Sequence, residues 1–153
     1  MAAISSTIDI RFIDAMKSLL ELEYEIIEVY STVIRNLENK KYQSKLKEFK
    51  EDHLRHIKGF TYILEQLDQQ APQGTLANTA FTINGTSINK LSNDKVILKT
   101  LDRLAHNTNA AYEKINNFRP KSPMASNVLK LTLEDGMRHR NWLQMVFSCL
   151  PEK

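Results

Sequence analysis

Three of the four histidines lie where a helical pattern calls for apolar residues. His53 and His56 interrupt one helical stripe, His139 interrupts a second, and Glu23 interrupts a third in the same way. Ionisable side chains on the buried face of an amphipathic helix reduce hydrophobic burial and must be desolvated. Imidazole nitrogens and carboxylate oxygens are common ligands of transition-metal ions. These residue types, on these faces, therefore indicate a metal site inside the protein.

The elements that must position these residues are four helices. Apolar residues recur with helical periodicity over about residues 8 to 37, 40 to 70, 93 to 118 and 123 to 149. Short connections make the first and second helices antiparallel neighbours, and likewise the third and fourth. Residues 71 to 92 are long enough to cross the height of a bundle. The sequence therefore predicts one domain over residues 1 to 153, an all-α, antiparallel four-helix bundle with a long crossover between helices 2 and 3.

Local signals refine the helix ends and the crossover. Ser122 followed by Pro123 predicts an N-cap and a first helical residue, and Ser92 is the predicted N-cap of the third helix. Within the crossover, apolar and polar residues alternate around Asn84-Gly85, which permits a small hairpin. An irregular strap across the bundle is the alternative for this segment.

The unusual polar residues fall near the middle of their helices, so they share one level of an up-down bundle. Helix axes in such bundles lie about 8–10 Å apart, which lets inward side chains reach one ion at about 2.0–2.2 Å. Asp135 precedes His139 by one helical turn and lies on the same face. The predicted metal ligands are Glu23, His53, His56, His139 and Asp135. The predicted cofactor is a divalent ion of iron, manganese or zinc.

The sequence is also compatible with a metal-free arrangement of these residues. A Glu23 carboxylate that accepts hydrogen bonds from one or two histidines would satisfy the same groups without an ion, and such buried pairs are tolerated although they seldom stabilise. His106 differs from the other histidines because it falls on the polar face of the third helix. We expect it at the surface.

These residues resemble the ferritin-like superfamily, in particular its rubrerythrin and bacterioferritin branch. Glu23 and Tyr30, seven residues apart, match the pattern of the family's first helix. The second helix of that family offers Glu-x-x-His, where His56 matches the histidine and His53 stands in place of the glutamate. The resemblance implies a ferritin-like bundle and chemistry of iron with oxygen or peroxide.

The second half of the chain matches the same pattern with two replacements. His139 and Trp142 correspond to the family's fourth helix, but Gly136 occupies the position of its glutamate. In the third helix, Ala105 replaces the glutamate expected seven residues before Tyr112. Because di-iron members use four carboxylates and two histidines, we expect a mononuclear site here. Its ligands would be Glu23, His53, His56 and His139, and Asp135 would be either a spare ligand or a residue that contacts the ligands from behind.

Composition and charge limit the remaining possibilities. A net charge of +3 without long basic runs disfavours nucleic-acid binding, and no apolar run reaches membrane-spanning length. The start of the chain lacks the apolar core of a signal peptide, and the single Cys149 excludes an internal disulfide, so we expect a cytoplasmic protein. The resemblance implies a homodimer, and no substrate can be identified.

Two functions follow from the sequence. The first is a ferritin-like metal-binding protein with a mononuclear or degenerate site in the bundle core, acting in iron or oxidative-stress handling. The alternative is a metal-free, catalytically inactive bundle that serves as a dimerisation or protein-interaction module. The residues leave open whether the protein is an enzyme.

Overall fold

The structure is a computed structural model that describes residues 10–74, 82–83, 86–87, 93–119 and 121–150. Its elements, in chain order, are α1 (Ile10–Asn36), α2 (Lys40–Gln66), β1 (Thr82–Ile83), β2 (Thr86–Ser87), α3 (Asp94–Asn116) and α4 (Pro123–Cys149). The four predicted helices all form. None of the helices in these ranges is both long and apolar enough to cross a membrane.

The directions of the helices explain why the connection between α2 and α3 is long. α1 and α3 are antiparallel, because Phe12 near the start of α1 packs against Phe118 beyond the end of α3. At the other end, Asp94 at the start of α3 accepts hydrogen bonds from the backbone nitrogens of Glu38 and Asn39. α2 is also antiparallel to α1, so α2 and α3 run parallel. The 27 residues of α2 span about 40 Å, and the connection must cover that height, as predicted.

Two apolar clusters fill the bundle, one toward each end. On α1, Leu20 belongs to one cluster and Ile26 to the other, and Glu23 lies between them. α2 and α4 repeat this arrangement, with Phe60 and Leu129 in the first cluster and Phe49 and Leu143 in the second. The buried polar residues lie at or near the intervening level; they are Glu23, His53, His56, Thr108, Thr132 and His139. The predicted polar level is therefore present, between two apolar halves of the core.

Side-chain caps begin three of the helices. Asn39 caps α2, and Ser122 caps α4 by accepting from the backbone nitrogen of Ala125, as predicted. The prediction for α3 was wrong by one residue, because Asn93 is the N-cap and accepts from the backbone nitrogen of Val96. Both Ser92 and Asn93 carry a side-chain oxygen suited to this position, so residue type alone did not separate them.

α2 ends earlier than predicted, and the crossover contains a short pair of strands. α2 ends at Gln66, before the predicted residue 70, because Asp68 adopts a left-handed φ of 58° and Gln69 donates its backbone N–H to the carbonyl of Leu64. In the crossover, β1 and β2 pair antiparallel, with Thr82 opposite Ser87 and Ile83 opposite Thr86. The hairpin, rather than the irregular strap, is the alternative that these four residues adopt.

Candidate metal centre

Glu23 lies at the centre of the polar level and is fully buried. Its Oε1 accepts a hydrogen bond from Nδ1 of His53 at 2.8 Å and faces Nδ1 of His56 at 3.3 Å. The hydroxyl of Tyr112 donates to the other oxygen, Oε2. Glu23, His53 and His56 each present a ligand atom within 4.8 Å of the others, and all three are buried. The structure thus brings together three of the five predicted ligands.

Asp135 lies on the far side of His56 from Glu23. Nε2 of His56 donates to Asp135 Oδ2 at 2.8 Å. The same carboxylate accepts from Arg55 at 2.7 Å and from Arg138 at 2.8 Å. Asp135 is therefore in contact with a predicted ligand, and it lies outside the group formed by Glu23 and the two histidines of α2.

His139 is buried beside this group. Its Nε2 donates to Asp52 Oδ2 at 2.7 Å, and its ring stacks on Phe49 with centroids 4.0 Å apart. The centroids of the His139 and His53 rings are 5.1 Å apart. His139 therefore packs against a member of the group while one of its ring nitrogens is already bonded. His106 is exposed, as expected, and lies 2.9 Å from a guanidinium nitrogen of Arg140.

Sequence reasoning missed three charged residues that border the site. Arg55 donates to Asp52 at 3.0 Å as well as to Asp135, and Arg138 donates to Asp52 at 3.0 Å as well as to Asp135. Each arginine therefore bridges an aspartate of α2 and an aspartate of α4.

A repeat in the sequence carries the signal for these residues. Residues 52 to 56 and 135 to 139 both have the pattern Asp-x-x-Arg-His. Aspartate and histidine are four apart in each copy, so they share a helix face and arginine lies beside them. The repeat is only five residues long, which is why helical periodicity alone did not reveal it.

The charges of Glu23 and His56 stabilise each other. Burial by itself raises the pKa of Glu23, but the charge and hydrogen bonds of His53 and His56 outweigh it and lower that pKa to about 2. Burial likewise disfavours the charged form of His56, yet its hydrogen bonds to Asp135 and Glu23 raise its pKa to about 9. In the metal-free protein at neutral pH, His56 is therefore an imidazolium between two carboxylates.

His139 has the opposite behaviour, although it also bonds to a carboxylate. Burial and repulsion from the charge of His53 lower its pKa to about 3, against the opposing effect of Asp52. The pKa of Tyr112 is raised well above its usual value by burial and by the Glu23 charge, so its hydroxyl stays protonated and donates. The two histidines of the repeat therefore differ in charge at neutral pH.

The donor set fits one divalent transition-metal ion. Two imidazoles and one carboxylate form the set found in mononuclear non-haem iron sites, and the same set also binds zinc. Oε1 of Glu23 lies within hydrogen-bond distance of Nδ1 of both rings. A divalent ion would replace these hydrogen bonds and bind the same three atoms.

Two positions at which the resemblance places glutamates offer no carboxylate for a second ion. Gly136 stands where the family resemblance places a glutamate, and a Cβ at this position would lie 2.2 Å from Oδ1 of Asn109. Asn109 fills that space and donates its amide to the Gly136 carbonyl at 3.0 Å. Ala105 instead borders a cavity of about 10 Å³ shared with His53 and His139, which has room for about one water molecule.

Comparisons with known proteins identify the fold. No protein-family model matches the chain, and no protein of curated function matches it in sequence. Two solved structures are similar over most of their lengths. A bacterioferritin-related protein from Bacteroides fragilis, described as a dodecameric thioferritin, has a TM-score of 0.77 at 15% identity, covering 94% of this chain and 88% of its own. A conserved hypothetical protein from Mycobacterium tuberculosis has a TM-score of 0.73 at 11% identity, covering 92% of each chain. The chain thus has the ferritin-like four-helix fold that its motifs predict.

Proposed function

We propose that this protein is a ferritin-like metal-binding protein whose bundle core holds one divalent transition-metal ion between Glu23, His53 and His56, and that it acts in iron or oxidative-stress handling. The observation that carries the proposal is that a fully buried carboxylate oxygen faces Nδ1 of both histidines at 2.8 and 3.3 Å. Iron is the ion we favour, because two histidines and one carboxylate are typical of mononuclear Fe²⁺ sites. A ferrous ion would supply one-electron chemistry toward oxygen or peroxide.

The neighbouring residues limit how the ion would be held. Tyr112 donates to Oε2 of Glu23, and Oε1 is the oxygen that faces both histidines and would hold the ion. We propose His139 as a reserve fourth ligand through Nδ1, since its Nε2 is bonded to Asp52. Asp135 would accept a hydrogen bond from His56 and would not bind the ion itself. A three-ligand site with an adjacent cavity of one-water size leaves room for a small ligand.

Metal binding should release protons. His56 carries an extra proton because its pKa is about 9, and an ion on Nδ1 must displace it. We therefore expect the affinity for Fe²⁺, or for Co²⁺ as a spectroscopic substitute, to rise with pH by about tenfold per unit for each proton displaced, up to about pH 9. Isothermal titration in two buffers of different ionisation enthalpy measures that proton count directly. A pH-independent affinity between pH 6 and 8 contradicts the proposed role of His56.

Metal analysis of untagged protein tests the site itself. We expect about one equivalent of ion for each wild-type chain, and loss of binding in Glu23→Gln and His56→Ala. His106→Ala is the matched control, because His106 is exposed and contacts Arg140 instead of the buried metal-site residues. A substoichiometric metal content that is the same in the wild type and in His56→Ala would contradict the proposal.

One observation favours the metal-free alternative. Among the described residues, every buried side-chain nitrogen and oxygen has a hydrogen-bond partner without any ion. The polar level could therefore exist as a satisfied network in an inactive interaction module. Under this alternative, a chelator leaves the melting temperature unchanged, whereas a resident ion makes the melting temperature fall when it is removed.

We also propose that the chain associates with itself as a homodimer. Leu131, Met137 and Met145 are each more than half exposed, and their spacing places them within about 120° on the outer face of α4. The similar protein from Bacteroides fragilis is a dodecamer. Sedimentation equilibrium distinguishes a dimer from the 17.7 kDa monomer, and Met137→Lys with Met145→Lys should shift the protein toward the monomer. A monomer at all concentrations up to about 100 μM contradicts the homodimer.

A further inference from the structure

A cavity of about 10 Å³ lies at the polar level, next to α3. Among the residues that the structure describes, His53 and His139 line this cavity, whereas Glu23 and His56 do not. Because Nδ1 of His53 faces Glu23, the cavity is adjacent to the candidate ion position but is a separate space.

The cavity exists because small residues occupy two positions on α3 and α4. Ala105 and Gly136 both line it, and the family resemblance places a glutamate at each of these positions. A glutamate at residue 105 would fill the space with its own side chain, whereas a methyl group leaves it open. The cavity is therefore a feature of this chain that the resemblance does not supply.

Polar groups from three helices border the cavity. Each of the two histidines uses one ring nitrogen for a carboxylate, Nδ1 in His53 and Nε2 in His139. The opposite nitrogen of each ring is the one left for a molecule in the cavity. Asn109 donates its amide to the Gly136 carbonyl at 3.0 Å, which leaves its Oδ1 as an acceptor. A buried water molecule typically makes about three hydrogen bonds, and these groups supply that number.

We propose that this cavity binds one uncharged molecule of the size of water between His53, His139 and Asn109, and that the molecule enters from solvent along the seam of α3 and α4. The inference goes beyond the proposed metal site and requires no ion, because the same residues line the cavity in the metal-free protein. A molecule at this place would link histidines of α2 and α4 to α3 through hydrogen bonds.

Size and charge restrict the occupant. The cavity volume is close to that of one water-sized probe, so a molecule with a single non-hydrogen atom fits. Burial of an ion is costly unless an opposite charge compensates it. No carboxylate, lysine or arginine occurs in the lining among the described residues. These limits favour water or a similar uncharged molecule.

The cavity is close to solvent at Ala105. This residue lines the cavity and is also partly exposed, and the same is true of Asn109 one turn later. Because the alanine side chain is a single methyl group, the wall at this point is thin. Arg140 of α4 crosses the outside of the same turn of α3, with its Nε 3.2 Å from Asp102 and a terminal nitrogen 2.9 Å from His106. The Arg140 side chain therefore covers the seam where the wall is thinnest.

The first experiment counts internal water molecules in the metal-free protein. Oxygen-17 relaxation dispersion of the solvent detects water molecules that stay inside a protein, and we expect Ala105→Val to contain about one fewer than the wild type. Ala110→Val is the matched control, because Ala110 is exposed on the same helix and receives the same substitution. Ala105→Ser is a second variant in case valine impairs folding, and its hydroxyl should displace the same molecule. An equal count in the wild type and in every folded Ala105 variant overturns the inference.

The second experiment tests the route past Arg140. The same measurement reports how long the internal water molecule stays in the protein. We expect Arg140→Ala to shorten this residence time by about tenfold, which corresponds to the loss of one hydrogen bond with a charged group. Arg103→Ala is the control and should leave the residence time unchanged, since Arg103 is exposed on α3 and does not line the cavity. An unchanged residence time in Arg140→Ala overturns the proposed route.

The outcomes also separate this inference from the proposed function. If Co²⁺ does not bind but Ala105→Val loses the internal water molecule, the metal site fails and the cavity site stands. If Co²⁺ binds and the count of internal water molecules does not change in the Ala105 variants, the metal site stands and the cavity site is overturned.

Discussion

Glu23 is ionised in surroundings that would otherwise keep it neutral. Burial raises the pKa of a carboxylic acid, but the two histidines of α2 and their hydrogen bonds more than reverse this effect. The charge of this residue is thus maintained by its partners. Removing one partner leaves a buried charge without compensation, which typically destabilises a protein by about 3–5 kcal/mol.

The histidine pKa values predict that the metal-free protein is most stable near pH 6.5. His56 has a folded pKa of about 9, above its usual 6.5, so its contribution is full below pH 6.5 and is lost as pH rises to 9. His139 has a folded pKa of about 3, so its contribution is present above pH 6.5 and is lost as pH falls to 3. Glu23 adds a further loss between pH 4.5 and 2.

Urea unfolding of the metal-free protein across pH 4 to 9 measures this profile. The shift of His56 corresponds to a loss on the order of 3 kcal/mol between pH 6.5 and 9. His139→Gln should flatten the acid side of the profile without moving the alkaline side. A profile that rises steadily from pH 6.5 to 9 is incompatible with an imidazolium at His56.

Gly136 shows how a missing side chain shapes the site. A Cβ added at this position would overlap the Asn109 side chain, which itself donates a hydrogen bond to the Gly136 carbonyl. We expect Gly136→Ala to destabilise the protein by about 1–3 kcal/mol through this overlap. In an Asn109→Ala background the same change should cost less, because only the Tyr112 ring, whose Cδ2 would lie 3.1 Å from the new Cβ, still crowds this position. A double-mutant cycle measured by urea unfolding reports the difference, and additive effects refute the proposed contact.

At the scale of the elements, the helix ends depend on single polar residues. The Asp94 carboxylate accepts from two backbone nitrogens in the turn between α1 and α2, at 2.9 and 3.0 Å. It thereby ties the start of α3 to that turn, at the end of the bundle where α1 finishes. The parallel relation of α2 and α3 depends on contacts of this kind as well as on the apolar core.

The residue with a left-handed backbone conformation after α2 allows a test of how much that conformation lowers the stability of the protein. Asp68 has a φ of 58°, a conformation that favours glycine. We expect Asp68→Gly to raise the free energy of unfolding by about 0.5–1 kcal/mol. Asp68→Ala is the control, because alanine has the same backbone restriction, and it should give no gain. Equal stability of both variants in thermal unfolding would show that this backbone strain is absent in solution.

At the scale of the whole molecule, the ion and the fold should be coupled. An ion held between α1 and α2 binds only the folded state, so ligand at 100 times its Kd stabilises by about 2.7 kcal/mol. For a chain of this size, that corresponds to a rise in Tm of about 5–10 °C. Calorimetry with and without Co²⁺ measures the shift, which should disappear in His56→Ala and persist in His106→Ala. An equal shift in both variants points to binding elsewhere.

Much of the fold follows from sequence periodicity. The apolar stripes predicted four helices, and the burial of Glu23, His53, His56 and His139 follows from their places on those stripes. The short and long connections predicted which helices pair. The N-cap of α3 and the end of α2 were less accurate, because several neighbouring residues have the chemistry that a helix end requires.

The sequence alone determined which residues face the interior and at what level, because a helix repeats every 3.6 residues and a bundle of helices of similar length brings their midpoints to one level. Only the tertiary structure decided which of those residues share contacts. Glu23 faces two histidines and Tyr112, whereas His139 and Asp135 bond to partners on the opposite helix. Side-chain pairing across helices depends on rotation and axial shift of a few ångströms, and no periodicity within one helix contains that information.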